Sequence, residues 1–200
     1  VNVRHELALD RVLLVVNAHP WQKLGTRDIT PAADRLALVA AAVGTVDGLE
    51  ASRVELDRGG MSYTADTLDT LLAERPDREL FVVLGSDAAA GLTTWERADE
   101  VRRQATIVVV DRPGAEESHP PPGWSWRRVE VPRLEVSSTD LRARVADGRP
   151  LDYLLTADVI AAIEDRGPAV MAVVAVEPPE AGRDAARSGA AVSAAACAEG

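Results

Sequence analysis

"ELFVVLGSDAAAGLTTWERADEVRRQATIVVVDRPG", residues 79–114, holds two apolar runs separated by a polar, helix-prone stretch. The runs "ELFVVLGSD" and "ATIVVVDRPG" are rich in β-branched residues, short, and closed by polar or turn-forming residues. Unbroken apolar runs of that length fit strands buried on both faces, as in parallel sheets. Between them, "TTWERADEVRRQ" from Thr93 predicts a helix. Strand, helix, strand is the repeating unit of an α/β fold.

The same pattern extends outward. "RVLLVVNA" from Arg11 is a third strong strand, while "LEASRVEL" from Leu49 and "RRVEVPRL" from Arg127 are weaker ones. "TPAADRLALVAAAVG" predicts a helix with Thr30 as cap, Pro31 at the first helical position, and Leu36, Val39, Ala40 and Val43 on one side. In "GGMSYTADTLDTLLAERP", residues 59–76, Leu68, Leu71 and Leu72 mark a buried helical face that Pro76 ends. "SSTDLRARVADG" and "TADVIAAIEDRG" each open on a hydroxyl residue and close on glycine, as helices do. The expectation is a mainly parallel sheet with helices on both faces. Such sheets bind ligands at the carboxyl ends of their strands, near a topological switch point.

Residues 1–168 carry this pattern and form the expected domain. Beyond them, "PPEAGRDAARSGAAVSAAACAEG" is rich in alanine, glycine, proline and charge, so 169–200 is expected to be a disordered tail. "MAVVAVE" just before could add a short edge strand. At the other end, "VNVRHELAL" reads as half a helix placed directly before the "RVLLVV" strand, whereas a complete strand–helix–strand unit needs ~30 residues. A central first strand is therefore expected to be absent, leaving two sheet edges unpaired.

Bulk properties narrow the class. A formal net charge of −10 argues against a general nucleic-acid grip. The one cysteine, Cys197, cannot form an intrachain disulfide, which suits a reducing cytoplasm. No run approaches the ~18 apolar residues of a membrane span, and the first residues do not resemble a signal peptide. Oligomeric state is not legible.

Polar residues with chemical potential sit at helix starts and strand ends. Ser62, Tyr63 and Thr64 precede the Leu68 helix, where free backbone N–H groups favour an anion; a plain N-cap is the simpler alternative. Gly85 and Asp87 follow the strand from Glu79, where an acidic side chain can accept from ribose hydroxyls or cap a helix. Trp95 could fill the core or stack on an aromatic ligand. Ser137, Ser138 and Thr139 open a helix with Arg142 about one turn in, a combination suited to polyphosphate. Lys23, in "NAHPWQK", is a flexible point charge of the kind that meets phosphate oxygens. His19 reads as a loop residue, and no histidine has a partner at metal-ligand spacing.

In order along the chain, "PWQK", "PAADR", "GGMSYTADTL", "LGSDAAAGLTTW", "VVVDRPG" and "VSSTDLRARV" resemble the bacterial nicotinate-nucleotide adenylyltransferase family. The resemblance implies a Rossmann-like nucleotidyltransferase fold. It also implies adenylyl transfer from ATP to nicotinate mononucleotide, giving deamido-NAD and pyrophosphate, with Mg²⁺. By the same resemblance Ser62, Tyr63, Thr64, Trp95 and Arg112 hold the mononucleotide. Lys23, Gly85, Asp87, Ser137, Ser138, Thr139 and Arg142 hold ATP. The family's "GGTFDPxHxGH"-type loop, whose histidines contact ATP phosphates, has no counterpart in the sequence, so no catalytic residue is assigned and the expected missing strand coincides with it. Alternatives are a nucleotide-binding chain without catalysis and another small adenylyltransferase such as the phosphopantetheine type.

Overall fold

In a computed structural model of the chain, residues 1–18, 30–110, 119–132, 134, 136–167 and 194–198 are described, with the backbone alone at Asp87 and 194–198. Lys23, Arg112, His19 and the "MAVVAVE" segment lie outside them. Six strands form one sheet: β1 (Arg11–Val15), β2 (Leu49–Ser52), β3 (Glu79–Gly85), β4 (Ala105–Val110), β5 (Trp126–Val129) and β6 (Ala194–Ala198), in the order β2-β1-β6-β3-β4-β5. The pairs β1–β2, β3–β4 and β4–β5 are parallel.

Side chains alternate across the strands and build a core on each face. Leu80, Val82 and Leu84 of β3, with Ile107 and Val109 of β4, face one way. They meet Ala65, Leu68 and Leu71 of α4 (Thr64–Glu74) and Val101 of α6 (Ala98–Gln104). Phe81 and Val108 face the other way, against Val3 of α1 (Asn2–Glu6), Leu9 and Val129. Each fully buried leucine contributes about 2 kcal/mol of transfer free energy, which is why Leu68 at 0 % exposure anchors its helix so firmly. A third cluster joins Leu38 of α2 (Ala32–Val43), Leu141 of α7 (Ser138–Asp147), and Val159 and Ile163 of α8 (Ala157–Arg166). The expected α/β architecture, helices on both faces included, is present.

Four local expectations change. The sheet has no gap between β1 and β3: β6, from the stretch expected to be disordered, pairs antiparallel with both, Leu13 and Val82 each opposite Ala195. Two facing strands with unpaired N–H and C=O groups strongly favour any extended segment that can satisfy them. In α2 the buried line runs through Arg35, Leu38 and Val43 rather than Leu36, Val39 and Ala40, and no side chain caps its start. An alanine-rich helix marks its face weakly, and packing against α8 decides it. The run from Leu49 stops at Ser52, and the next residues form α3 (Val54–Arg58), which carries Glu55 and Asp57 in its first turn and ends at Gly59 with φ 70°. Lastly, the helix expected from Thr93 begins only at Ala98. A 3₁₀ turn at Leu92–Thr94, an extended Trp95 (φ −73°, ψ 145°) and a left-handed Arg97 (φ 55°, ψ 38°) precede it.

Candidate functional site

The parallel strands bring the ends of β1 and β3 to the same edge of the sheet. After β1 the chain runs through Asn17 and Ala18, where several polar bonds converge. The Ala18 amide donates to Ser62 Oγ at 2.9 Å. Arg35, only 5 % exposed, donates to the carbonyls of Asn17 (2.6 Å), Ala18 (3.4 Å) and Thr30 (3.0 Å). Burial pushes the Arg35 guanidinium pKa down, and the charge of Glu55 opposes that shift. The end of β1 is thus fastened to the residues just before α4.

Ser62 is taken up in this joint, and among the described residues no side chain caps α4. Tyr63 occupies the N-cap position in an extended conformation (φ −107°, ψ 134°), and both it and Thr64 are half-buried. A helix start with no side-chain cap keeps its first-turn amides for a partner from outside the helix. One turn on, Thr67 Oγ1 donates to Oε1 of Glu55 at 2.7 Å, while Glu55, 1 % exposed, has no hydrogen-bond partner for Oε2 among the described residues.

Trp95 is half-buried against the core cluster that contains Leu68 and Leu92. Its segment is tied to α4 by Arg97. The Arg97 guanidinium donates to Asp66 Oδ1 at 2.5 Å and Asp69 Oδ2 at 2.6 Å, and also to Glu100. Gln104 Nε2 donates to the other oxygen of Asp69 at 2.6 Å. The Asp69 pKa lies below the usual carboxylate range through its bonds from Gln104 and then Arg97; Arg97 lowers that of Glu100, and its own is raised by Glu100 and Asp69.

β3 delivers Gly85 as the N-cap residue of α5 (Ser86–Ala90), which starts without a side-chain cap. Asp87 lies in that short helix, just past the strand end, as the sequence predicts.

At α7 the sequence-predicted group is assembled. Ser137 Oγ accepts from the Asp140 amide at 3.1 Å, a conventional cap. Ser138 is 1 % exposed, and its Oγ has no hydrogen-bond partner among the described residues. Thr139 is exposed, and Arg142 Nη2 donates to its Oγ1 at 3.3 Å. A buried hydroxyl without a partner is costly, and this one lies in the first residue of α7.

Sequence reasoning missed Arg35, Arg97, Asp66, Asp69 and Glu55. Most of their partners lie far away in sequence, as Arg97 and Asp66 do at a separation of 31 residues, so local spacing does not announce the joints they make. The two tryptophans around the start of β5 have plain roles: Trp124 packs on the main core, and Trp126 stacks on His119 with ring centroids 6.0 Å apart.

This is the α/β fold of the nucleotidyltransferases, and residues 1–144 match the cytidylyltransferase-like family model. Its similar proteins narrow the class. The chain is 42% identical over 156 residues to the probable nicotinate-nucleotide adenylyltransferase of Corynebacterium kroppenstedtii, covering 76% of this chain and 74% of that protein. To the protein of the same name in Streptomyces coelicolor it is 40% identical over 167 residues, covering 82% and 87%. The chain belongs to the cytidylyltransferase-like family and, within it, to the nicotinate-nucleotide adenylyltransferases. Plasmodium falciparum nicotinic acid mononucleotide adenylyltransferase, solved in complex with NaAD, shares the fold at a TM-score of 0.60 and 15% identity, over 82% of this chain and 89% of that one.

Proposed function

We propose that this protein transfers the adenylyl group of ATP to nicotinate mononucleotide, forming deamido-NAD and pyrophosphate in NAD biosynthesis. The observation that carries this reading is the pair of unlike helix starts. Tyr63 and Thr64 head a helix with no side-chain cap, a seat for the pyridine carboxylate, with the face of Trp95 for the ring. Ser138, buried and unpartnered among the described residues, joins Ser137, Thr139 and Arg142 as a seat for ATP phosphates. An anionic carboxylate gains more at a helix start than a neutral carboxamide does, which favours the nicotinate nucleotide. Lys23, Gly85, Asp87 and Arg112 complete the reading, with Asp87 toward ribose, Lys23 toward phosphate and Arg112 on the mononucleotide.

The chemistry is a direct displacement. A phosphate oxygen of the mononucleotide attacks the α-phosphorus of ATP, the bond to the bridging oxygen breaks, and pyrophosphate leaves with that oxygen. The protein aligns two anions and offsets the charge that builds between them. Among the described residues no group of three or more histidine, cysteine, aspartate or glutamate side chains could hold a cation. Mg²⁺ enters with the triphosphate of ATP, as part of the substrate.

Among the described residues no helix is long and apolar enough to cross a membrane. A cytoplasmic location goes with this reading, as do small-molecule partners alone.

The direct test incubates the protein with ATP, Mg²⁺ and either nicotinate or nicotinamide mononucleotide, and follows dinucleotide and pyrophosphate. Deamido-NAD from the acid, with little product from the amide, is the expected result. The sequence has no "HxGH" motif, and this favours one second reading, a chain that binds both nucleotides without joining them. Saturable binding with no product, restored when any residues encoded before Val1 are included, separates a missing catalytic segment from a wrong substrate.

A further inference from the structure

We propose that Arg97 is a positioning residue that sets the acid-over-amide preference of the pyridine-nucleotide seat. It does so by tying the Trp95 turn to the first turn of α4 and by cancelling the charge of Asp66 there. The inference rests on the reading of Tyr63, Thr64 and Trp95 as that seat.

Asp66 lies in the first turn of α4, the turn whose amides are offered to the ligand carboxylate. A carboxylate in that position is stabilised by the same helix start. Left uncompensated, it repels a second anion and draws on the same positive end. Arg97 meets it at 2.5 Å and reaches Asp69, one turn further along α4, at 2.6 Å. Its third partner is Glu100, in the first turn of α6. One guanidinium therefore joins α4, α6 and the Trp95 turn, two residues away.

The backbone agrees with a built device. Arg97 is held in the left-handed region (φ 55°), which residues with a Cβ avoid unless surroundings enforce it. In that conformation it ends the extended stretch through Trp95 and starts α6.

The two jobs have separable signatures. Loosening the Trp95 turn weakens the acid and the amide nucleotide alike, because both carry the same ring and phosphate. Unmasking Asp66 weakens only the ligand with the extra negative charge. Arg97, Asp66 and Glu100 are each about a third exposed and Asp69 somewhat more, so screening keeps the effect modest.

The test is calorimetric titration of the full chain with nicotinate and nicotinamide mononucleotide. The variants are Arg97→Asn, chosen because asparagine tolerates the left-handed backbone, Asp66→Asn, and the two combined. Arg97→Asn is expected to lower the acid-to-amide affinity ratio about three- to fivefold. Adding Asp66→Asn is expected to restore the ratio without restoring absolute affinity. Equal losses on both ligands, or a ratio that the second substitution leaves low, overturn the proposal. If Arg97→Asn does not fold by circular dichroism, Asp66→Asn alone decides: the ratio should hold or rise, and a fall overturns it. A failure of the underlying seat looks different, because native protein would then bind neither mononucleotide, or Trp95→Ala would change nothing, and that result removes both.

Discussion

At the start of α7 the Ser137 hydroxyl accepts from the amide of Asp140, and Arg144 reaches back to the Asp140 carboxylate at 2.7 Å. Every one of those partners lies within a few residues. At the start of α4 the polar side chains reach partners on other elements: Ser62 to Ala18, Asp66 to Arg97, and Thr67 to Glu55, with a longer bond back to the Tyr63 carbonyl. A locally capped start is stable by its own sequence. A remotely held start leaves its first-turn amides uncapped but depends on the rest of the fold to stay in place. The difference fits the proposed division, in which a rigid start at α7 takes phosphate and a remotely held start at α4 takes the mononucleotide.

The largest expected effect breaks the remote support. Arg35→Met leaves the Asn17, Ala18 and Thr30 carbonyls without their buried donor and removes the positive charge that faces Glu55. A loss of about 3 kcal/mol is expected in urea denaturation, since unmade buried bonds and an uncompensated charge cost that much. A loss below about 1 kcal/mol would mean that α4 is held by its leucines alone. Next come the proposed ligand contacts. Trp95→Ala is expected to weaken nicotinate mononucleotide about tenfold and ATP less than about twofold, by loss of stacking. Arg142→Ala should do the reverse through lost charge-assisted bonds. Equal effects on both ligands, read by titration, would dissolve the division of labour.

A smaller pair of substitutions sharpens the comparison at the caps. Ser137→Ala removes a cap that is present and should cost about 1 kcal/mol of stability. Thr64→Ala removes no side-chain cap, so its stability should change by less than about 0.5 kcal/mol while nicotinate mononucleotide binding falls. Thermal unfolding and ligand titration on the two proteins side by side decide it.

The same contrast explains what was legible in the sequence. The α7 group, "SSTDLR", is written in consecutive residues and so could be read in full, cap included. The strands from Arg11, Glu79 and Ala105 were legible because burial on both faces leaves unbroken β-branched runs. The joints around α4 were not, because Arg35 with Asn17 and Arg97 with Asp66 are pairs made by the fold. "TTWERADEVRRQ" carries good helix formers throughout, yet the pull of three carboxylates on Arg97 goes with a broken backbone at Trp95. β6 was illegible for another reason: an alanine-rich segment has no strand signature, and the unpaired edges of β1 and β3 supply the demand that its own residues do not.

The smallest expected effect concerns acid. Gln104 and Arg97 hold the Asp69 pKa below the ordinary carboxylate value, and Arg97 does the same to Glu100. A group whose folded pKa is depressed stabilises the protein fully above its unfolded pKa and loses that contribution as pH falls through the folded one. The remote joint between α4 and α6 should therefore weaken as pH drops from about 5 toward 3, the range where carboxylates titrate. Arg97→Asn removes the cause at Glu100 and the second cause at Asp69, leaving Gln104 in place, so its urea midpoint should fall somewhat less over the same interval than that of the native protein. Parallel midpoints for the two proteins would show that the cluster, about a third exposed, contributes through geometry and not through charge.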